Sequence, residues 1–128
     1  MNDFRENYFE AREIVAKELI EKYNLTESTN EYDCLTLDSS NYSIHLTFIV
    51  PDGDEVYMSE KTKEWYTGKS FYSFMLEKYP DDEKRKSVTH ELFKSMSNFD
   101  TYDYSVERLT RSFLIQIIFL INSNKNIY

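Results

Sequence analysis

From Tyr42 to Val50 the residues alternate so regularly that an extended strand is the natural reading: Tyr42, Ile44, Leu46, Phe48 and Val50 fall on one face, and Ser43, His45 and Thr47 on the other. The run stops at Pro51, Asp52, Gly53 and Asp54, a tight turn in which proline presets φ and glycine supplies a positive one. Glu55 to Glu60 then reads as a returning partner strand. Tyr32 to Leu37, followed by the turn residues Asp38, Ser39, Ser40 and Asn41, reads as a third strand. A meander that is apolar on one face has to be covered by another layer.

The amino-terminal segment offers that layer. Asp3 and Glu6 have the form of a capping box, and Phe4, Tyr8, Ala11, Val15, Leu19 and Tyr23 recur at helical spacing, which predicts an amphipathic helix over 4–23. Asn24 to Asn30 is polar and turn-prone. Beyond a mixed linker from Lys61 to Lys69, Ser70 is placed to cap a short helix, Phe71 to Tyr79, which Pro80 stops. Asp81 and Asp82 open another helix with Val88, Leu92, Phe93 and Met96 as its buried stripe. Asn98 to Tyr104 reads as a loop, and Ser105 starts a last helix with Val106, Leu109, Phe113, Ile117 and Leu120 or Ile121 as its core line.

Phe113 to Ile121 is β-branched and apolar almost all round, a pattern that periodicity alone leaves ambiguous. We read it as a buried helix; as a strand it would add a fourth member to the meander. The tail from Asn122 to Tyr128 reads as frayed. The expected architecture is α+β: an amino-terminal helix packed on a three-stranded (or four-stranded) antiparallel meander, followed by two to three carboxy-terminal helices. A chain of 128 residues fits a single domain, 1–128, able to bury about two thirds of its unfolded surface.

Charge is distributed unevenly along this plan. Between Tyr23 and Glu60 there is no lysine or arginine, while Glu27, Glu31, Asp33, Asp38, Asp52, Asp54, Glu55 and Glu60 all fall there. Those eight acids equal the whole net charge of -8, the rest of the chain balancing 15 acids against 15 bases. A patch of one sign speeds encounter with partners of the other, and this sign favours a basic protein surface over nucleic acid or an anionic membrane. Lysine is also depleted in strands, so a strand-rich segment tends to lack it without any functional cause. With 11 Tyr and 9 Phe, some tyrosines should be available as amphipathic contacts.

The residues that chemistry would require are scarce. Cys34 is the only cysteine, so no intrachain disulfide forms, and its neighbours Glu31 and Asp33 are the wrong setting for a reactive thiolate. His45 and His90 are the only histidines and do not stand in a metal-binding pattern. Asp52, Gly53 and Asp54 lack the spacing of a calcium loop. Gly53 and Gly68 are the only glycines, so no phosphate-cradling loop or dinucleotide fingerprint is spelled. We therefore expect no catalysis, no cofactor and no metal. Met1 to Glu13 is charged from its third residue and lacks the form of a secretory signal. The longest apolar run spans nine residues, about half of a membrane-spanning helix. A cytoplasmic location, with no membrane and no nucleic-acid partner, is the expectation.

A long amphipathic helix, an acidic antiparallel meander and an aromatic segment, Phe71 to Tyr79, leading into helices resembles the small immunity proteins of bacterial toxin systems. The resemblance covers roughly the first 80 residues and rests on element order, acidity and aromatic content. It implies a cytoplasmic, non-catalytic inhibitor that occludes a cognate toxin. The candidate partner-binding residues are Asp33, Asp38, Asp52, Asp54 and Glu55, with Tyr32, Tyr42 and Tyr57 as aromatic anchors, directed at a basic protein such as a toxin or nuclease. The alternatives are a phage or plasmid inhibitor that mimics nucleic acid, a small carboxylate enzyme, and an accessory or scaffold subunit. Monomer or weak homodimer is the expected state.

Overall fold

The computed structural model describes residues 4–31, 34–49, 53–60, 69–100 and 103–125. The fold is α+β. Helix α1 runs Phe4–Tyr23, matching the apolar periodicity, and stops at Asn24, whose φ of 55° is the left-handed termination that asparagine tolerates. The capping-box residue Asp3 lies outside the described residues.

Among the described residues there are five strands, the expected three and two more: β1 (Thr26–Glu31), β2 (Cys34–Asp38), β3 (Tyr42–Ile49), β4 (Gly53–Glu60) and the short β5 (Lys69–Ser70). They form one antiparallel sheet in the order β1-β2-β3-β4-β5, a meander in which every strand pairs with its neighbours in sequence. Strand β1 occupies residues read above as turn. It carries no apolar alternation because it is an edge strand with Thr26, Glu27 and Ser28 exposed; pairing with β2 holds it extended. Of the turn expected at Pro51 to Asp54, Gly53 pairs with Ile49 and Asp54 with Phe48, so both belong to β4; Pro51 and Asp52 lie outside the described residues.

The β2–β3 turn is fixed by Ser39. Its Oγ accepts from the backbone N–H of Asn41 and Tyr42, at 3.1 and 3.0 Å, and its own N–H donates to the Tyr42 carbonyl at 2.8 Å. This hydroxyl-anchored turn sets Asp38 opposite Ser43 and so fixes the register of the central hairpin.

Helices α2 (Phe71–Lys78), α3 (Asp82–Leu92) and α4 (Val106–Lys125) complete the chain. Asp81 caps α3, its Oδ2 accepting from Lys84 N–H at 2.9 Å. Ser105 does the same for α4 toward Arg108 N–H, at 3.2 Å. Phe113 to Ile121 is helical, and α4 continues through residues expected to fray. The stripe proposed for α3 is half-buried rather than buried, and a 3-10 turn, Lys94–Met96, takes over beyond Leu92 and Phe93. Among the described residues no helix is long and apolar enough to cross a membrane.

By backbone proximity the chain divides into two compact units, one made of Met1–Val15 with Met75–Tyr128 and the other of Ala16–Phe74. In the helical unit Tyr8, Ala11 and Val15 of α1 are buried together with Met75, Leu109, Phe113, Ile117, Leu120 and Ile121. Tyr8 meets Phe113 edge to face with ring centroids 5.7 Å apart. In the sheet unit Ala16, Leu19 and Leu25 are buried with Leu35, Leu37, Ile44 and Leu46.

Candidate functional site

Register converts the meander into two contrasting faces. Strand partners lie side by side, and alternate rows of partners share a face. One face holds the rows Asn30–Leu35–Leu46–Val56 and Glu27–Leu37–Ile44–Met58–Lys69, apolar across the three middle strands. The other holds Thr29–Thr36–His45–Tyr57–Ser70, flanked by Thr26–Asp38–Ser43–Ser59 on one side and Glu31–Cys34–Thr47–Glu55 on the other. The bulge between Glu27 and Thr29 preserves this parity along β1. By register these three rows carry hydroxyls, three acids, one histidine and one thiol, without a lysine or arginine, and Ile49 lies beyond them on the same face.

The proposed contact residues separate accordingly. Asp38, Glu55 and Tyr57 belong by register to the polar face. Asp54 pairs with Phe48 and falls on the opposite one. Tyr42 also belongs to the apolar side and is buried, at 9% exposure; burial raises its phenol pKa above the ordinary value, with the Ser39 hydrogen bond opposing and nearby Tyr23 adding to the rise. It serves the core and offers no aromatic anchor. Tyr32, Asp33 and Asp52 lie outside the described residues. By register the described acids of this segment are therefore spread over both faces.

At its centre the polar face is also enclosed. Thr36 and Ser43 are 4% and 1% exposed, and each makes a cross-strand side-chain bond. Ser43 Oγ donates to the half-buried Asp38 carboxylate, and Thr36 Oγ1 lies 3.0 Å from His45 Nδ1. Cys34 Sγ approaches Thr36 Oγ1 at 3.7 Å. Buried polar groups are costly unless bonded, and these pairings satisfy them. Burial lowers the His45 pKa, outweighing the opposing pull of Asp38.

This string does not assemble a nucleophile. Cys34 pairs with Thr47 and His45 with Thr36, so Thr36 stands between the thiol and the imidazole. An activated cysteine needs its base within hydrogen-bond reach. Among the described residues no group of three or more His, Cys, Asp or Glu is arranged to hold a metal ion. The cross-strand bonds were missed in the sequence because parity alone does not say which residue of β2 faces His45; the Ser39 turn decides that.

Comparison of the chain with family models, curated proteins and solved structures finds no match. The two units differ sharply in charge. Ala16–Phe74 holds eleven acids against five bases, a net -6, whereas the helical unit holds twelve against ten, a net -2.

Proposed function

We propose that this protein is a non-catalytic inhibitor of the immunity-protein type, which binds a basic toxin or nuclease through its acidic sheet unit. The observation that carries this reading is the concentration of -6 of the net -8 in one compact unit. Such a field raises association rates with a cationic surface and suppresses encounters with anionic ones. Because Thr36 and Ser43 close the middle of the polar face, we assign the contact to its Glu31–Cys34–Thr47–Glu55 end, with Tyr57 in the adjoining row.

The test pairs this protein with the product of the basic toxin gene expected beside its own and measures association across ionic strength. Glu31→Lys with Glu55→Lys should slow association roughly tenfold at low salt and flatten its salt dependence. Glu27→Lys with Glu60→Lys, on the other face by register, should change it far less. Unaltered kinetics in both double variants, or failure to protect cells from that toxin, would overturn the proposal.

A further inference from the structure

Helix α4 has two apolar faces. Phe113, Ile117, Leu120 and Ile121 of the first are buried. On the second, Leu114, Ile115, Ile118 and Phe119 are only half-buried and, with Leu92 at the end of α3, line a cavity of about 470 Å³. That size lies within the roughly 300–1,000 Å³ of small-molecule sites. A helix apolar all round is expected to be covered on every side, so this wall is suited to an apolar guest.

The polar part of the lining is gathered at one end. Lys78, in the last turn of α2, is the only charged residue among the described residues of the lining, and Asn122 and Ser123 lie about one turn beyond Phe119. Lys78 Nζ donates to Ser123 Oγ at 3.4 Å and stands 5.4 Å from the centre of the Phe119 ring. Ser123 is 6% exposed, so a buried hydroxyl and an aromatic face hold the ammonium above an apolar floor. From Leu114 to Ser123 the wall advances about 13 Å at the rise of an α-helix. An extended saturated chain advances about 1.2 Å per bond.

We propose that this cavity binds a single-chain aliphatic carboxylate of roughly ten carbons, its chain laid along α4 and its head group at Lys78. The carbonyl ends of α2 and α4 lie near the same lysine and on their own favour a cation there. Each contributes a fractional negative charge; the ammonium carries a whole positive one, and a carboxylate seated on it is partly desolvated by the apolar wall beneath, which strengthens the pair. The site is independent of the acidic sheet.

The experiment titrates decanoate, below its aggregation concentration, into the full chain while following backbone amide shifts and heat. Saturable one-to-one binding with shifts confined to Leu114–Ser123, Leu92 and Lys78 is expected. Lys78→Gln, at an exposed position, should weaken decanoate roughly tenfold or more with an unchanged circular dichroism spectrum, and Ile115→Trp, which fills the cavity, should abolish binding in a folded protein. Decyltrimethylammonium, with the same chain and the opposite charge, should not saturate. If Lys78→Gln lowers thermal stability yet leaves decanoate affinity intact, the lysine serves the helix ends alone and the assignment fails. Equal affinity for the cationic probe, or shifts elsewhere in the chain, would overturn it as well.

Discussion

Burial holds the His45 imidazole neutral more strongly than the Asp38 carboxylate draws it toward charge. A histidine whose folded pKa lies below its unfolded value of 6.5 binds more protons when unfolded, so stability rises with pH through that region. The contribution is fully present above pH 6.5 and is progressively lost as pH falls from there toward the folded value. Urea midpoints should therefore hold steady at neutral and mildly alkaline pH and decline on mild acidification, above the range where carboxylates titrate. His45→Gln should flatten that decline. Burial also decides the role of Tyr42: the alternation that aligned it with Ile44 and Leu46 already implied a core position, and that signal outweighs its aromatic suitability for an interface. Thr36, opposite His45, was not identifiable beforehand, because nothing in the composition of a threonine marks its cross-strand partner.

Elements with strong local signals were legible, and those held by partners were not. The apolar line of α1 and the caps at Asp81 and Ser105 are written in residues within one or two turns of each other. Asp81→Ala should cost about 1 kcal/mol, the usual worth of such a cap, with the loss read from the denaturation midpoint. For α4, spacing of three and four between Phe113, Ile117, Leu120 and Ile121 prevailed over β-branched propensity because those side chains meet one buried surface. Phe113→Ala, removing the ring against Tyr8, should cost about 3–5 kcal/mol. Strand β1 shows the converse. Its sequence of threonine, glutamate, serine and asparagine has no strand pattern, and it is extended because β2 offers a ladder; the bulge and acids along it in turn discourage pairing at that edge.

At the scale of the molecule, the base-free segment read from the chain falls wholly inside one compact unit, though its distribution over two sheet faces depended on register and was not legible. A unit of net -6 repels itself. Raising ionic strength from about 0.01 M to 0.15 M shortens the screening length from about 30 to 8 Å, and thermal stability should rise by a few degrees over that interval. Replacing Glu27 and Glu60 with glutamine should shrink the rise; a melting temperature indifferent to salt in the parent would contradict it.

The same division bears on how the chain is made. All the pairings of the meander join neighbouring strands, so each hairpin can close soon after it leaves the ribosome. The opening helix has no such luxury: Asn7 bonds to a carbonyl 97 positions later, and Tyr8 awaits Phe113. For most of synthesis its first turns, with Tyr8, Ala11 and Val15, have no permanent mate even though Ala16 and Leu19 further along belong with the early sheet, and during that interval a nascent chain is most in need of a chaperone.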